Sequence, residues 1–470
     1  MLAFGSIPRF GRRELLAVAV LAILILVFLP IVVRKAVWLG QGDVQVLFRA
    51  GWAVWTGYPL YQVTDQHGWT YHYPPTFALL MGPFANPLPD YPKPGWALPF
   101  PAAVVIWYLL GAAFLVLAVH FWAGALQRYR PFKSSSEFLS GESLLRLGPV
   151  LAVIPFIGDG LARGQPTSLL LLLVVVFLIL YADNRPRSAA FTLALAVAIK
   201  EFPIVLGILP LLRRDWKFIS WLAGWCIVCL IVFPAICLGP SATVDLYRAM
   251  WTDHLGGIIT GAMSAKLIRE IAPGGYDAVS IGAALARVAA GQSFESAGLP
   301  IWASVVQCLF DVGIIAAIAI LSLGGVWNWR GAQPAKGYPL LVAGAVLIAA
   351  IPLLVPVAKP NYLAFVVPLI GVLTIERWRR DGHVGIIAPM VAWASFAWLS
   401  IISLELRWNW LYVAAPMTWA VLFLGPKSLW LVGDISASFD AATGRGLAHS
   451  VVDSGDQSRH ARGGLDSHPT

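Results

Sequence analysis

Long apolar runs, separated by short polar stretches, dominate the pattern along the chain. We interpret ten of them as membrane-crossing segments: residues 15–33, 102–126, 144–161, 167–182, 218–238, 302–326, 338–357, 362–375, 385–404 and 411–424. A helix of about 20 apolar residues crosses about 30 Å of hydrocarbon. The chain lacks the alternating short strands of a membrane barrel. The pattern therefore predicts an all-α, polytopic integral membrane protein with about 10–12 transmembrane helices.

Composition supports a membrane protein and argues against a soluble one. Hydrophobic residues make up 59% of the chain and charged residues 12%, against about 45–50% and about 25% in soluble domains. The net charge of +9 comes from basic residues in short loops, so we expect membrane lipids and no nucleic acid as partners. The four cysteines lie inside apolar runs, which is typical of small buried hydrophobes rather than of a metal site.

Basic loops predict the topology. They lie around Arg128, Arg187, Arg213, Arg330 and Arg379. Placing these loops in the cytoplasm, with residues 15–33 as an uncleaved anchor, predicts a multi-pass protein of the cell membrane. Residues 38–101 and 239–300 then lie outside. We expect a transmembrane domain over residues 1–424 and a disordered cytoplasmic tail over 425–470.

The segment 188–212 has basic loops at both of its ends and is too short to cross the membrane twice as a regular helix. Pro203 blocks a regular helix and biases Phe202 away from the α conformation. One interpretation is a broken, hairpin-like element that turns near Lys200 and borders a polar cavity, since irregular backbone needs such cover in lipid. The other is a single kinked helix.

The first predicted outer segment carries the candidate base. Apolar residues recur at helical spacing after Asp43, which predicts an amphipathic interfacial helix along the membrane surface that ends at Gly57. Asp43 would occupy the N-cap position. Its carboxylate could accept backbone N–H bonds there, or it could serve as a fixed general base.

Aromatic side chains precede a double proline in the same segment. Tyr71 and Tyr73 could form a rigid interfacial turn or a platform for a sugar. Asp65, His67 and His72 match no metal-ligand spacing, and we expect Asp65 in a solvated loop and no metal.

Four cations in predicted outer turns depart from the expected charge bias: Arg163, Lys200, Lys359 and Arg407. They could bind a membrane-embedded phosphate. Alternatively, they could extend along the interface to reach headgroups.

Several short motifs, taken in order, resemble a known family. They are Gly42-Asp43, Gly57-Tyr58-Pro59-Leu60-Tyr61, Tyr73-Pro74-Pro75, Gly164-Gln165-Pro166 and Lys200-Glu201-Phe202-Pro203. Together they resemble the polyprenol-phosphate-dependent glycosyltransferases of family 87. The chain departs from that pattern at Lys359-Pro360-Asn361-Tyr362, where relatives have a block containing histidine.

The resemblance implies the GT-C architecture and an active site at the extracytoplasmic face. It implies transfer of a hexose such as mannose, with inversion, from a polyprenyl-phosphate donor to a lipid-linked or glycan acceptor, without a cofactor. The family's catalytic carboxylate corresponds to Asp43, and Gln165, Tyr71 and Tyr73 would contact substrate. The alternative is a lipid or polyol transporter, or flippase, that cuts no bond. A third hypothesis is a non-catalytic membrane scaffold.

Overall fold

The computed structural model describes residues 26–40, 42–66, 68–131, 141–252, 337–354 and 359–381, with a few isolated positions besides. The predicted spans 302–326, 385–404 and 411–424 lie outside these residues, as do Arg407, His67, the tail and most of the segment 239–300.

The described residues are helical and contain no β-strand. The α-helices are α1 Val44–Thr56, α2 Pro75–Leu80, α3 Phe100–Tyr129, α4 Gly141–Ala152, α5 Ile154–Arg163, α6 Thr167–Ala182, α7 Pro186–Ile199, α8 Ile208–Leu212, α9 Trp216–Ile227, α10 Phe233–Leu238, α11 Pro240–Met250, α12 Tyr338–Leu354 and α13 Val367–Asp381. Shorter 3-10 helices cover Leu60–Gln62, Gly82–Phe84, Phe202–Gly207 and Pro360–Val366, and π-helical turns cover Arg34–Trp38 and Val228–Val232.

The apolar helices confirm an all-α, polytopic membrane protein. Within the described part of the chain, Phe100–Tyr129 and the continuous helix Trp216–Leu238 are long and apolar enough to cross a membrane. Both contain spans predicted from the sequence. Helix α6 begins and ends at the residues predicted for its span, and it packs between α3 and α7.

The predicted span 144–161 is not one straight helix. Helices α4 and α5 meet at a bend of 62°, and Val153 between them leaves the helical conformation. Pro155 follows within the first turn of α5. Proline has no N–H for the bond across the bend, and its ring disfavours helical backbone before it. Beyond the bend, the end of α5 contacts the first predicted outer segment near Gly42 and Val44.

The segment 188–212 is broken where the sequence predicts it. Helix α7 ends at Ile199, and Lys200 is extended with φ −155° and ψ 137°. A 3-10 helix then begins at Phe202, with Pro203 in its first turn. Helix α7 is about 21 Å long at 1.5 Å per residue, so it is shorter than the hydrocarbon layer. The break at Lys200 is therefore confirmed, and the turn of this segment as a hairpin beside a polar cavity stays a prediction.

Helix α1 forms over the predicted range and is covered by other parts of the protein. Gly57 ends it with φ 74°, and residues 44–54 are all buried. It packs against α2 and the 3-10 turn Gly82–Phe84. The polar Gln45 and Arg49 are buried with the rest, so other protein segments cover both faces of this helix. Its place at the membrane interface stays a prediction.

Two hydroxyl groups, one from α2 and one from α11, bond to backbone carbonyls of the span Trp216–Leu238. Pro234 cannot donate a hydrogen bond to the carbonyls of Cys229 or Leu230, five and four residues before it. Thr76 Oγ1 donates to the Cys229 carbonyl at 2.7 Å, and the Tyr247 hydroxyl donates to the Leu230 carbonyl. Backbone groups that proline leaves unpaired thus become attachment points, as backbone in lipid requires.

Candidate active site

Asp43 is held by a side chain from a distant helix end. It occupies the N-cap position of α1, but its carboxylate makes no capping hydrogen bond. Instead, Asp43 Oδ2 accepts a hydrogen bond from Gln165 Nε2. The side chain is half-buried. The carboxylate therefore does not cap the helix, and the hydrogen bond from Gln165 sets its orientation.

Gln165 reaches Asp43 because two stretches of backbone pack closely. Helix α5 ends at Gly164 with φ 72°, and the Gln165 N–H donates to the Gly160 carbonyl at 2.9 Å. A methyl group on Gly164 would lie 2.5 Å from Val44 Cβ, and one on Gly42 would lie 3.2 Å from the Arg163 carbonyl. Only glycine allows both the left-handed turn and this close approach.

Tyr73 extends the contact from Gln165 to a cation. Its hydroxyl donates to Gln165 Oε1 at 2.8 Å and accepts from Lys200 Nζ at 3.2 Å. Burial raises the pKa of Tyr73 to about 12, so the phenol is neutral at physiological pH and can donate and accept together. We call Asp43, Gln165, Tyr73 and Lys200 the Asp43–Lys200 network.

Lys200 turns inward rather than along an interface. Its ammonium nitrogen lies 4.5 Å from the ring centroid of Tyr73 and 4.8 Å from that of Tyr362. Both distances suit a cation–π interaction. An ammonium group has three donors, and the Tyr73 hydroxyl takes one of them. The aromatic cover holds the cation beside the network while leaving donors for an anion.

The other predicted cations have separate positions. Arg163 Nε donates to Asp159 Oδ1 at 3.0 Å and Oδ2 at 3.2 Å, one helical turn away. Lys359 Nζ lies 4.2 Å above the ring centroid of Trp69. Arg163 therefore adjoins the network through its backbone. Lys359 connects the start of the 3-10 helix Pro360–Val366 to Trp69 in the first predicted outer segment.

Tyr71 lies one layer behind Tyr73. It is fully buried, and its hydroxyl donates to the Pro74 carbonyl at 2.9 Å. Its ring centroid is 5.5 Å from that of Tyr73. Tyr71 thus supports the ring of Tyr73, whereas the sequence predicts that both tyrosines contact substrate.

Asp65 is buried, with 7% of its surface exposed, so the prediction of a solvated loop is wrong. Its Oδ1 accepts from the Trp69 N–H at 2.9 Å. Nearby, Arg49 donates to the Thr64 carbonyl. Burial lowers the pKa of Arg49, and the charge of Asp65 opposes that shift. The signal for this contact in the sequence was an arginine within an otherwise apolar helix.

No group of three His, Cys, Asp or Glu side chains within the described ranges could hold a metal ion. The arrangement that these residues do form places a carboxylate and an ammonium at opposite ends of two neutral, hydrogen-bonded side chains. The carboxylate can accept a proton, and the ammonium can stabilise an anion.

Comparison with known proteins identifies the chain. The model of Glycosyltransferase family 87 matches residues 71–356. This range contains Tyr73, Gln165 and Lys200, while Asp43 precedes it. No curated protein and no solved structure matches the chain. Because the matched range covers more than half of the 470 residues, the chain belongs to glycosyltransferase family 87 and is a membrane glycosyltransferase that uses a sugar donor and an acceptor.

Proposed function

We propose that this enzyme transfers a hexose such as mannose from a polyprenyl-phosphate donor to a lipid-linked or glycan acceptor, with inversion at the anomeric carbon. Asp43 is the general base. The reaction takes place at the extracytoplasmic face of the cell membrane, and the C-terminal tail lies in the cytoplasm.

The observation that carries the proposal is the Asp43–Lys200 network. Each member donates toward Asp43: Lys200 to Tyr73, Tyr73 to Gln165, and Gln165 to the carboxylate. This direction fixes the amide of Gln165, with its oxygen toward Tyr73 and its nitrogen toward Asp43. The carboxylate keeps its other lone pairs for an acceptor hydroxyl.

The spacing of charges suits an inverting displacement. The acceptor oxygen forms a bond to the anomeric carbon while the bond from that carbon to the phosphate oxygen breaks. The hydroxyl proton passes to Asp43, and the electron pair leaves with the polyprenyl phosphate. The side chains of Gln165 and Tyr73 hold base and cation apart, so a sugar ring can lie alongside them with its acceptor at Asp43 and its phosphate at Lys200. Lys200 then stabilises the leaving phosphate, as cationic groups do in other group transfers.

The remaining predicted residues have supporting roles in this proposal. Arg163, Lys359 and Arg407 contribute positive charge toward the donor phosphate. Gln165 and Tyr73 touch the sugar as well as each other, and Tyr71 supports Tyr73 from behind. Membership of a glycosyltransferase family favours this chemistry over a transporter that cuts no bond.

The test compares purified wild type with Asp43→Asn in transfer of radiolabelled sugar from several polyprenyl-phosphate sugars to lipid and glycan acceptors. Removing a general base lowers the rate by about 10²–10⁴-fold. The matched control is Asp245→Asn, because Asp245 is exposed and pairs with Arg248 on α11. It should transfer sugar like wild type.

Unfolding midpoints of the three proteins in detergent separate a lost base from a lost fold. We expect the Asp43→Asn midpoint to stay close to that of wild type while product formation falls. Full transfer by Asp43→Asn would exclude it as the base. Transfer by wild type only from nucleotide sugars would exclude the polyprenyl-phosphate donor.

A further inference from the structure

A second polar region lies at the far end of the helices that build the network. Helix α6 runs from Thr167, two residues after Gln165, to Ala182, and α7 returns from Pro186 to Ile199, beside Lys200. These helices are about 20 Å long. A cavity of about 350 Å³ lies where α6 ends and α7 begins. It is therefore separate from the candidate active site.

The cavity lies at the depth of lipid headgroups. Asp215 lines it, and the next residue, Trp216, begins the apolar helix Trp216–Leu238. Trp216 is 63% exposed, and tryptophan favours the boundary between hydrocarbon and water. A group that enters this cavity is thus level with the phosphate layer of a bilayer.

The cavity has an excess of positive charge. Arg213 and Arg214 line it, against one lining carboxylate, that of Asp215. That carboxylate already accepts from the Phe218 N–H at 3.0 Å and from the Tyr181 hydroxyl at 3.4 Å. Guanidinium groups bind phosphate oxygens in pairs, through a planar fork of donors.

The walls are held in place by the protein itself. The guanidinium carbon of Arg213 lies 5.1 Å from the ring centroid of Tyr181. Arg214 has φ 53°; its N–H donates to the Leu211 carbonyl and its carbonyl accepts from Trp216, each at 2.9 Å. Left-handed backbone at a residue other than glycine persists where surrounding contacts enforce it. The site is preformed, which lowers the entropic cost of binding.

We propose that this cavity binds a phosphate headgroup, with Arg213 and Arg214 as its ligands. Leu340 and the ring of Tyr181 supply apolar wall beside the charge. The group is the phosphodiester of an anionic phospholipid or a free phosphate, which share the chemistry that the arginines recognise.

The test uses the purified full-length protein in detergent with phosphatidylglycerol, phosphatidylcholine or inorganic phosphate added. Native mass spectrometry counts retained lipid, and the unfolding midpoint reports stabilisation. Wild type should retain phosphatidylglycerol in preference to phosphatidylcholine. Arg213→Gln/Arg214→Gln should bind phosphatidylglycerol at least about tenfold more weakly, since several charge-assisted hydrogen bonds are lost.

The matched control removes equal charge close to the cavity, from the loop before α7 and from the first turn of α9. Arg185 and Lys217 are exposed and do not line the cavity, so Arg185→Gln/Lys217→Gln should bind like wild type. Should the first variant not fold, Arg214→Asn keeps a residue that tolerates φ above zero, and it should also bind more weakly.

Stabilisation by inorganic phosphate that depends on Arg213 and Arg214 would assign free phosphate to the site, and stabilisation by phosphatidylglycerol alone would assign the lipid. Equal binding by wild type and the arginine variants would overturn the proposal. An equal loss in the control variant would also overturn it, because general charge would then explain the binding.

Discussion

The two ends of helices α6 and α7 use positive charge in different ways. At one end, Lys200 is covered by two tyrosine rings and connected to Asp43 through neutral side chains. At the other end, Arg213 and Arg214 border a cavity. A covered cation linked to a carboxylate suits a reaction in which charge moves. Cations around a preformed cavity suit steady binding of an anion.

The comparison also shows how each end is built. The network joins segments 92 to 127 residues apart along the chain. The cavity is lined largely by two short loops, around Asn184 and Arg214, with Leu340 added from α12. Long-range contacts make the network sensitive to packing, whereas local backbone bonds hold the cavity. Variants in the network should therefore lower transfer activity, whereas variants at the cavity should lower phosphate binding and leave transfer unchanged.

The largest effect should come from Gly164→Ala. The left-handed conformation costs about 1–2 kcal/mol without glycine, and crowding against Val44 adds about 1–3 kcal/mol. The control is Gly57→Ala, because Gly57 ends α1 with φ 74° and has open space where a methyl group would lie. Unfolding midpoints in detergent should fall further for Gly164→Ala, and its transfer activity should fall with them. Equal midpoints would show that the close approach to α1 is not needed.

Lys200→Met should lower kcat/KM for the sugar donor by about 100-fold, the usual cost of one group that stabilises developing negative charge. The aliphatic side chain can still pack between the tyrosine rings, so the fold should survive. Lys93→Met is the control, since Lys93 is exposed in the same polar segment. Arg213→Gln/Arg214→Gln should also keep wild-type transfer. An equal loss of transfer in Lys200→Met and in Arg213→Gln/Arg214→Gln would contradict the assignment of the reaction to one end and of binding to the other.

Tyr73→Phe should lower kcat/KM about tenfold, or about 1.4 kcal/mol, because Lys200 and Gln165 both lose their shared hydroxyl. Rings and burial are unchanged by this substitution. Tyr91→Phe, at a tyrosine that is 45% exposed, should leave activity as it is. Unchanged kinetics in Tyr73→Phe would mean that the hydrogen bonds of the network do not position Asp43.

The smallest effect on transfer should come from Thr76→Val, which removes the hydroxyl that docks α2 on the Cys229 carbonyl. A buried carbonyl left without a donor costs about 1–3 kcal/mol. Thr192→Val is the matched control, because its hydroxyl bonds only within its own helix, to Ser188 at 2.8 Å. A lower unfolding midpoint is expected for Thr76→Val and little change for Thr192→Val. Equal midpoints would argue against this attachment.

The sequence predicts much of the local structure because its signals are local. Runs of apolar residues identify the spans around α3 and α6, and Gly57 and Pro203 mark the points where helices end or break. One local prediction was wrong. Asp65 looks solvated when only its own neighbours are considered, but it is buried in the folded protein.

By itself, therefore, the sequence determined the membrane class, the helical elements and the types of residue available for chemistry. Hydropathy and proline act within one or two helical turns, so they can be recognised along the chain. Tertiary structure alone decided that Gln165 bonds to Asp43 and that Tyr73 rather than Tyr71 faces Lys200. These contacts depend on the bend between α4 and α5 and on backbone approach at Gly164, which only the packing of whole helices determines.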